Sequence, residues 1–135
     1  MRYLKVFEEF LTESKVIDLA LDRIDGLPKG SIFDDAKNID GIFKRSKHSW
    51  SEVIETFEKN QTSAKLKSVN VKDIQITQPN IQINKVKKML QDFNKLEPIN
   101  VVEFSDGLAI YDGHHRLLTA WALGKTKLKV NYIKA

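Results

Sequence analysis

Apolar residues recur at intervals of three and four along the first half of the chain. Leu4, Phe7, Phe10 and Leu11 form one stripe over Met1 to Ser14, and Val16, Ile17, Ala20, Leu21 and Ile24 carry the spacing on to the break at Gly26-Leu27-Pro28. That period predicts helix. Ile32, Phe33, Ala36 and Ile39 extend it weakly, predicting a helix within Ser31 to Phe43 that Asp40-Gly41 interrupts. Ser49-Trp50-Ser51-Glu52 has the form of a capping box, and Trp50, Val53, Ile54 and Phe57 give the helix it opens an apolar face as far as Lys59. The polar stretch Asn60 to Ser68 is predicted to be a linker.

The period then changes. Val71, Ile74 and Ile76 alternate as in a strand, and Thr77 to Asn80, with Pro79, is predicted to be a turn. Val86, Met89, Leu90 and Phe93 mark the buried face of a helix from about Asn84 to Asn94, whose lysines point outward. Ile99 to Phe104 is almost continuously apolar, as a central strand is, and Ser105-Asp106-Gly107 predicts a hairpin turn into a strand over Leu108 to Tyr111. A second helix follows over the apolar face of Leu117 to Leu123, and Leu128, Val130, Tyr132 and Ile133 predict a closing strand. The expected fold is therefore α+β, a small mixed β-sheet with flanking helices over residues 69–135. A helical N-terminal region and linker, residues 14–68, precede it, and residues 1–13 form a terminal helix or a cleavable peptide.

The residues best suited to chemistry stand where the strand at Tyr111 gives way to the helix: Asp112, Gly113, His114, His115 and Arg116. The first turn of a helix exposes backbone N–H groups and the positive end of the helix dipole, so phosphate is the expected ligand. Gly113 lets its oxygens approach the main chain, and Arg116 offers a planar fork of donors. His114 and His115 add imidazoles that titrate near neutrality. Asp112 is the candidate base, or the carboxylate that holds Mg2+ against a nucleotide such as ATP, because magnesium needs only one or two protein carboxylates. A zinc site is a poor fit, since His48 is the one remaining histidine and cysteine is absent. Structural roles are open to the same residues: a helix cap for Asp112, packing at the sheet edge for His115, and a partner in Glu103 or Asp106 for Arg116.

The order Ile110-Tyr111-Asp112-Gly113-His114-His115-Arg116-Leu117, preceded by Pro98 to Phe104 and by Thr77 to Leu90, resembles the ParB/sulfiredoxin superfamily over about half the chain, Val69 to Ile133. The resemblance implies a nucleotide or phosphate at the strand-to-helix turn, with Asp112 and His114 catalytic and Gly113, His114, His115 and Arg116 on the phosphate. Its free-serine-kinase branch has DGHTR here, which matches Asp112 and His114, but the Glu that this branch uses near its first strand has no counterpart around Thr77-Gln78-Pro79. The partition-protein branch has GERR, matching Gly113 and Arg116, and carries a further DNA-reading module. The sulfiredoxin branch has a nucleophilic cysteine where this chain has His114, and with no cysteine that chemistry has no nucleophile. The implied activities are phosphotransfer or ParB-like, nuclease-type hydrolysis. Met1 to Glu13 in turn resembles the capsid-targeting peptides of phage internal head proteins, with Leu11-Thr12-Glu13 as the processing tripeptide. That resemblance implies a phage-delivered effector acting on a host or partner protein without catalysis, and a location in the phage head or host cytoplasm.

Charge adds one asymmetry. Residues 1–68 hold twelve Lys/Arg and twelve Asp/Glu, whereas residues 69–135 hold ten against six, so the whole net charge of +4 lies in the half with the motif. The excess fits a nucleotide or phosphorylated small molecule and a weak, sequence-blind attraction to nucleic acid. No apolar run is long enough for a membrane-spanning helix, so no membrane partner is expected.

Overall fold

The computed structural model describes residues 15–30, 34–92 and 96–135. Its elements are α1 (residues 15–25), β1 (Ala36–Asn38), α2 (Trp50–Asn60), β2 (Lys65–Asn70), β3 (Ile74–Gln75), β4 (Asn80–Gln82), α3 (Ile83–Gln91), β5 (Ile99–Phe104), β6 (Gly107–Asp112), α4 (His114–Ala122) and β7 (Lys127–Lys134). A five-stranded mixed sheet runs in the order β2-β7-β5-β6-β3, and β1 pairs with β4 in a separate antiparallel ribbon. The sheet is antiparallel at β2/β7 and β5/β6 and parallel at β5/β7 and β3/β6. An α+β fold with a mixed sheet is thus what the chain forms.

The apolar run Ile99–Phe104 takes the central position because it has two faces to bury. Ile99 and Val101 join the larger core with Ile110 and Val130, while Val102 turns to the other side and packs with Ala109, Ile133, Val53 and Phe57. Alternation along each strand divides the sheet in this way. α3 and α4 lie over the first face, with Val86, Leu90, Leu117 and Leu118 in the same core, and α2 covers the second. Ala20 and Ile24 of α1, together with Ile39 and Phe43, share the larger core with Ile74 and Leu117, so residues from both sides of position 68 are packed as one body.

Four local expectations are corrected. Of the helix expected over Ser31 to Phe43, residues 31–33 lie outside the described part, and the remainder forms β1 and a turn. The reason is pairing: Ala36 to Asn38 is in register with Gln82 to Asn80, and Lys29 bridges Lys37 from the other side. The linker expected over Asn60 to Ser68 is a short 3-10 turn, Gln61–Ser63, followed by β2, which pairs with β7 from Lys65 to Asn70. An edge strand draws its stability from backbone pairing along one side and needs few apolar residues. Only Val69 of β2 is buried, and Lys65 and Lys67 leave its pattern looking like a loop. The strand expected from Val71 to Ile76 is a 3-10 turn, Val71–Asp73, and then the two-residue β3, while Asn80, expected in a turn, opens β4. The helix expected over Met1 to Ser14, its processing tripeptide, and Phe93 of α3's expected face lie outside the described residues.

Candidate functional site

The site grows from the end of β6. Asp112 is its last residue, and Gly113 then turns the chain into α4 with φ 118° and ψ 27°, a conformation that L side chains rarely adopt. Space imposes the same requirement, since a Cβ at Gly113 would lie 2.5 Å from Ile99 Cγ2 and 3.2 Å from Arg116 Nε. Leu117 N donates to Gly113 O at 2.8 Å, the first bond of the helix. The N–H groups of His114, His115 and Arg116 precede it and have no acceptor within the helix. Gly113, and not Asp112, holds the N-cap position, so the capping role open to Asp112 is not the one it takes.

Arg116 is part of the scaffold of this turn. Its Nη1 donates to Pro98 O at 2.8 Å and its Nη2 to Asp112 Oδ2 at 3.1 Å, with the side chain 17 % exposed. The guanidinium therefore ties the start of β5 to the end of β6, and its carboxylate partner is Asp112, not Glu103 or Asp106. Asp112 itself is 63 % exposed along its side chain.

The two histidines face different surroundings, as residues about 100° apart on a helix must. His114 is 5 % exposed, and its Nε2 accepts hydrogen bonds from Thr77 N at 3.0 Å and Gln78 N at 3.3 Å. An acceptor nitrogen carries no proton, so this ring is the Nδ1-protonated tautomer. Burial, with a smaller contribution from His115, pushes its pKa down to about 4. His114 fastens the loop after β3 to α4, and its Nε2 is used up in doing so. His115 is half-buried and its pKa is also lowered, first by burial and then by Lys85. Its Nε2 is buried with no hydrogen-bond partner among the described residues.

These residues border one cleft of about 670 Å³. Asp112 to Arg116 form its floor, and Gln78, Lys85 and Met89 come in from the β4 and α3 side. Trp50, Ile54 and Glu58 of α2, with Tyr111, form the opposite wall. Sequence reasoning finds the floor and misses both walls. For α2 the missed signal is the spacing: Trp50, Ile54 and Glu58 stand at i, i+4 and i+8 on one stripe, whereas Val53 and Phe57 on the neighbouring stripe are the ones buried. A second cavity of about 500 Å³ lies away from the motif, bordered by Arg23, Lys72, Trp121 and Lys125.

His48 explains how α2 is held against the cleft. Its Nδ1 meets Glu52 Oε1 at 2.9 Å, its Nε2 meets Asp106 Oδ1 at 3.0 Å, and its ring stacks on Phe104 at 3.7 Å. The Glu52 hydrogen bond, and Asp106 after it, raise its pKa, and the bond to His48 lowers that of Asp106. A raised histidine pKa stabilises the fold below the unfolded value of 6.5 and loses that contribution as pH rises through the folded value. Asp106→Asn is therefore expected to lower the His48 pKa, read from its ring resonances in an NMR titration; an unmoved titration would show the contact to be unimportant in solution. The same helix start is closed by Ser49, whose Oγ accepts from Glu52 N at 3.2 Å, and Ser49→Ala should cost about 1 kcal/mol in chemical denaturation.

Among the described residues no group of three or more His, Cys, Asp or Glu stands together to hold a metal, and no helix is long and apolar enough to cross a membrane. No protein-family model matches the chain, and no curated protein does. Among solved structures it is similar to sulfiredoxin from Arabidopsis thaliana, with a TM-score of 0.46 and 23 % identity, over 53 % of this chain and 86 % of that one.

Proposed function

We propose that the protein binds a nucleotide or phosphorylated small molecule in this cleft, with the phosphate on the first turn of α4. The observation that carries the proposal is the convergence of unpaired N–H groups after Gly113 with Lys85, His115 and Arg116 around a single opening. Lys85 is exposed and Arg116 has donors beyond the two it commits to Pro98 and Asp112. His114 serves the site by holding Thr77 and Gln78, so the cationic side chains that border the opening and can meet an anion are Lys85 and Arg116. Magnesium carried in on the phosphates fits the residues present, since Asp112 borders the cleft at the α4 turn and one or two carboxylates suffice. Bound there, the ion would neutralise phosphate charge.

Phosphoryl transfer or phosphodiester hydrolysis is the chemistry such a site would support, with positioning and charge neutralisation as its main contributions. Binding without turnover is favoured by a separate observation: Asp112 is already paired with Arg116, and His114 Nε2 with two backbone amides. A thermal-shift panel of nucleotides with and without magnesium, followed by titration of the best ligand, tests the proposal. Lys85→Ala should weaken binding about tenfold and Arg116→Ala about ten- to a hundredfold, the scale of one charge-assisted hydrogen bond. Lys129→Ala, at an exposed position of β7, should leave it unchanged. Equal affinities in all three variants would move the site elsewhere.

A further inference from the structure

The two ends of the cleft differ in chemistry. Lys85 and Arg116 make one side cationic, whereas the α2 side is lined by Trp50 and Ile54, continued by Tyr111. Trp50 is 52 % exposed although it begins a helix that buries Val53 and Phe57. Its orientation is nevertheless defined: Nε1 donates to Tyr111 O at 3.4 Å, one residue before the motif, and the His48 bridge to Asp106 anchors the chain two residues earlier. Tyr111 cannot offer both faces, because Phe57 stacks on it at 4.6 Å. An exposed, oriented indole beside a cationic site is suited to stacking on a flat, polarisable ring.

We propose that the α2 wall is a base subsite, so that the ligand is a free nucleoside polyphosphate with its base on Trp50 and its phosphates on the α4 turn. This rests on the phosphate site proposed above and deepens it. Glu58 sets the orientation: it lies on the Trp50 stripe two turns on, and its carboxylate repels the anionic end of the ligand toward Lys85 and Arg116. The cleft volume of about 670 Å³ is within the range of ligand pockets that hold small organic molecules. A base is flat and polarisable, and stacking on an aromatic side chain is tolerant of which base it is.

Isothermal titration of ATP, GTP, CTP and UTP against inorganic triphosphate, all with magnesium, reads this directly. At least one nucleotide should bind about tenfold or more tightly than triphosphate. Trp50→Ala should bring that nucleotide down to the triphosphate affinity while leaving triphosphate binding as it was, and Trp50→Phe should recover most of the loss. Trp50 is half-exposed, so the variants should fold, which circular dichroism of each would check. If triphosphate binds as well as every nucleotide, or Trp50→Ala changes neither, the base subsite is wrong and the phosphate site stands. If neither triphosphate nor any nucleotide binds, the phosphate site fails as well.

Discussion

Gly113→Ala should destabilise the protein by about 4 kcal/mol, combining roughly 1–3 kcal/mol for a side chain at an unfavourable backbone conformation with roughly 1–3 kcal/mol for overpacking. Both terms come from this one position. The φ of 118° persists because β6 must turn directly into α4, and the new methyl would overlap Ile99, which is fully buried at the start of the central strand. Ile99 cannot yield easily, since it is paired through the backbone with Val130 and packed in the larger core. Against a typical stability of about 5–15 kcal/mol, such a loss removes a large share of the folded population's margin. Gly41→Ala is the control, because a Cβ there meets nothing within 4 Å, and its effect should stay within about 0.5 kcal/mol. Urea denaturation of the two variants compares them; equal midpoints would mean that the turn is not built as described.

Acid should loosen the same region. With a pKa of about 4 in the folded state against 6.5 when unfolded, His114 takes up its proton more readily in the unfolded chain. Its contribution is therefore complete above about pH 6.5 and is lost as pH falls from there to about 4, a change on the order of 3 kcal/mol at most. His48, with its raised pKa, acts with the opposite sign and more weakly because it is less buried. NMR titration separates the two by residue: His114 should stay neutral down to about pH 4, and protonation of its ring near pH 6.5 in the folded protein would contradict the burial and the hydrogen bonds assigned to it. Loss of its acceptor nitrogen also has a cost of its own. His114→Ala leaves the Thr77 and Gln78 amides without their partner, and an unsatisfied group of this kind is worth about 1–3 kcal/mol.

The strongly patterned parts of the fold are legible in the amino-acid order. β5, the hairpin turn at Ser105-Asp106, β6, α4 and β7 all follow from runs whose apolar period is clear, and they are the elements that create the turn at Gly113. The weakly patterned ones are not. β2 gains its place from pairing with β7, and β1 from pairing with β4, so their own side chains carry little of the signal. The site divides in the same way. Asp112 to Arg116 are contiguous, and a glycine before a pair of histidines and an arginine can be read directly. Which histidine faces inward is decided by Thr77 and Gln78, thirty-seven and thirty-six residues away along the chain, and no local pattern encodes that choice. Trp50 and Phe57 look equivalent as apolar helix residues, yet Phe57 packs under the sheet and Trp50 stands at the cleft, because α2 covers only one face of β5 and β6.

The central claim is that phosphate binds at the first turn of α4. Amide chemical-shift mapping of the full chain during titration with ATP and magnesium tests it most directly, since the proposed contacts are backbone N–H groups. The largest shifts are expected at His114, His115 and Arg116, with smaller ones at Lys85 and Gln78 and at the Trp50 indole N–H. Shifts centred instead on Arg23, Lys72 and Lys125 around the second cavity, or none anywhere at saturating ligand, would contradict the claim.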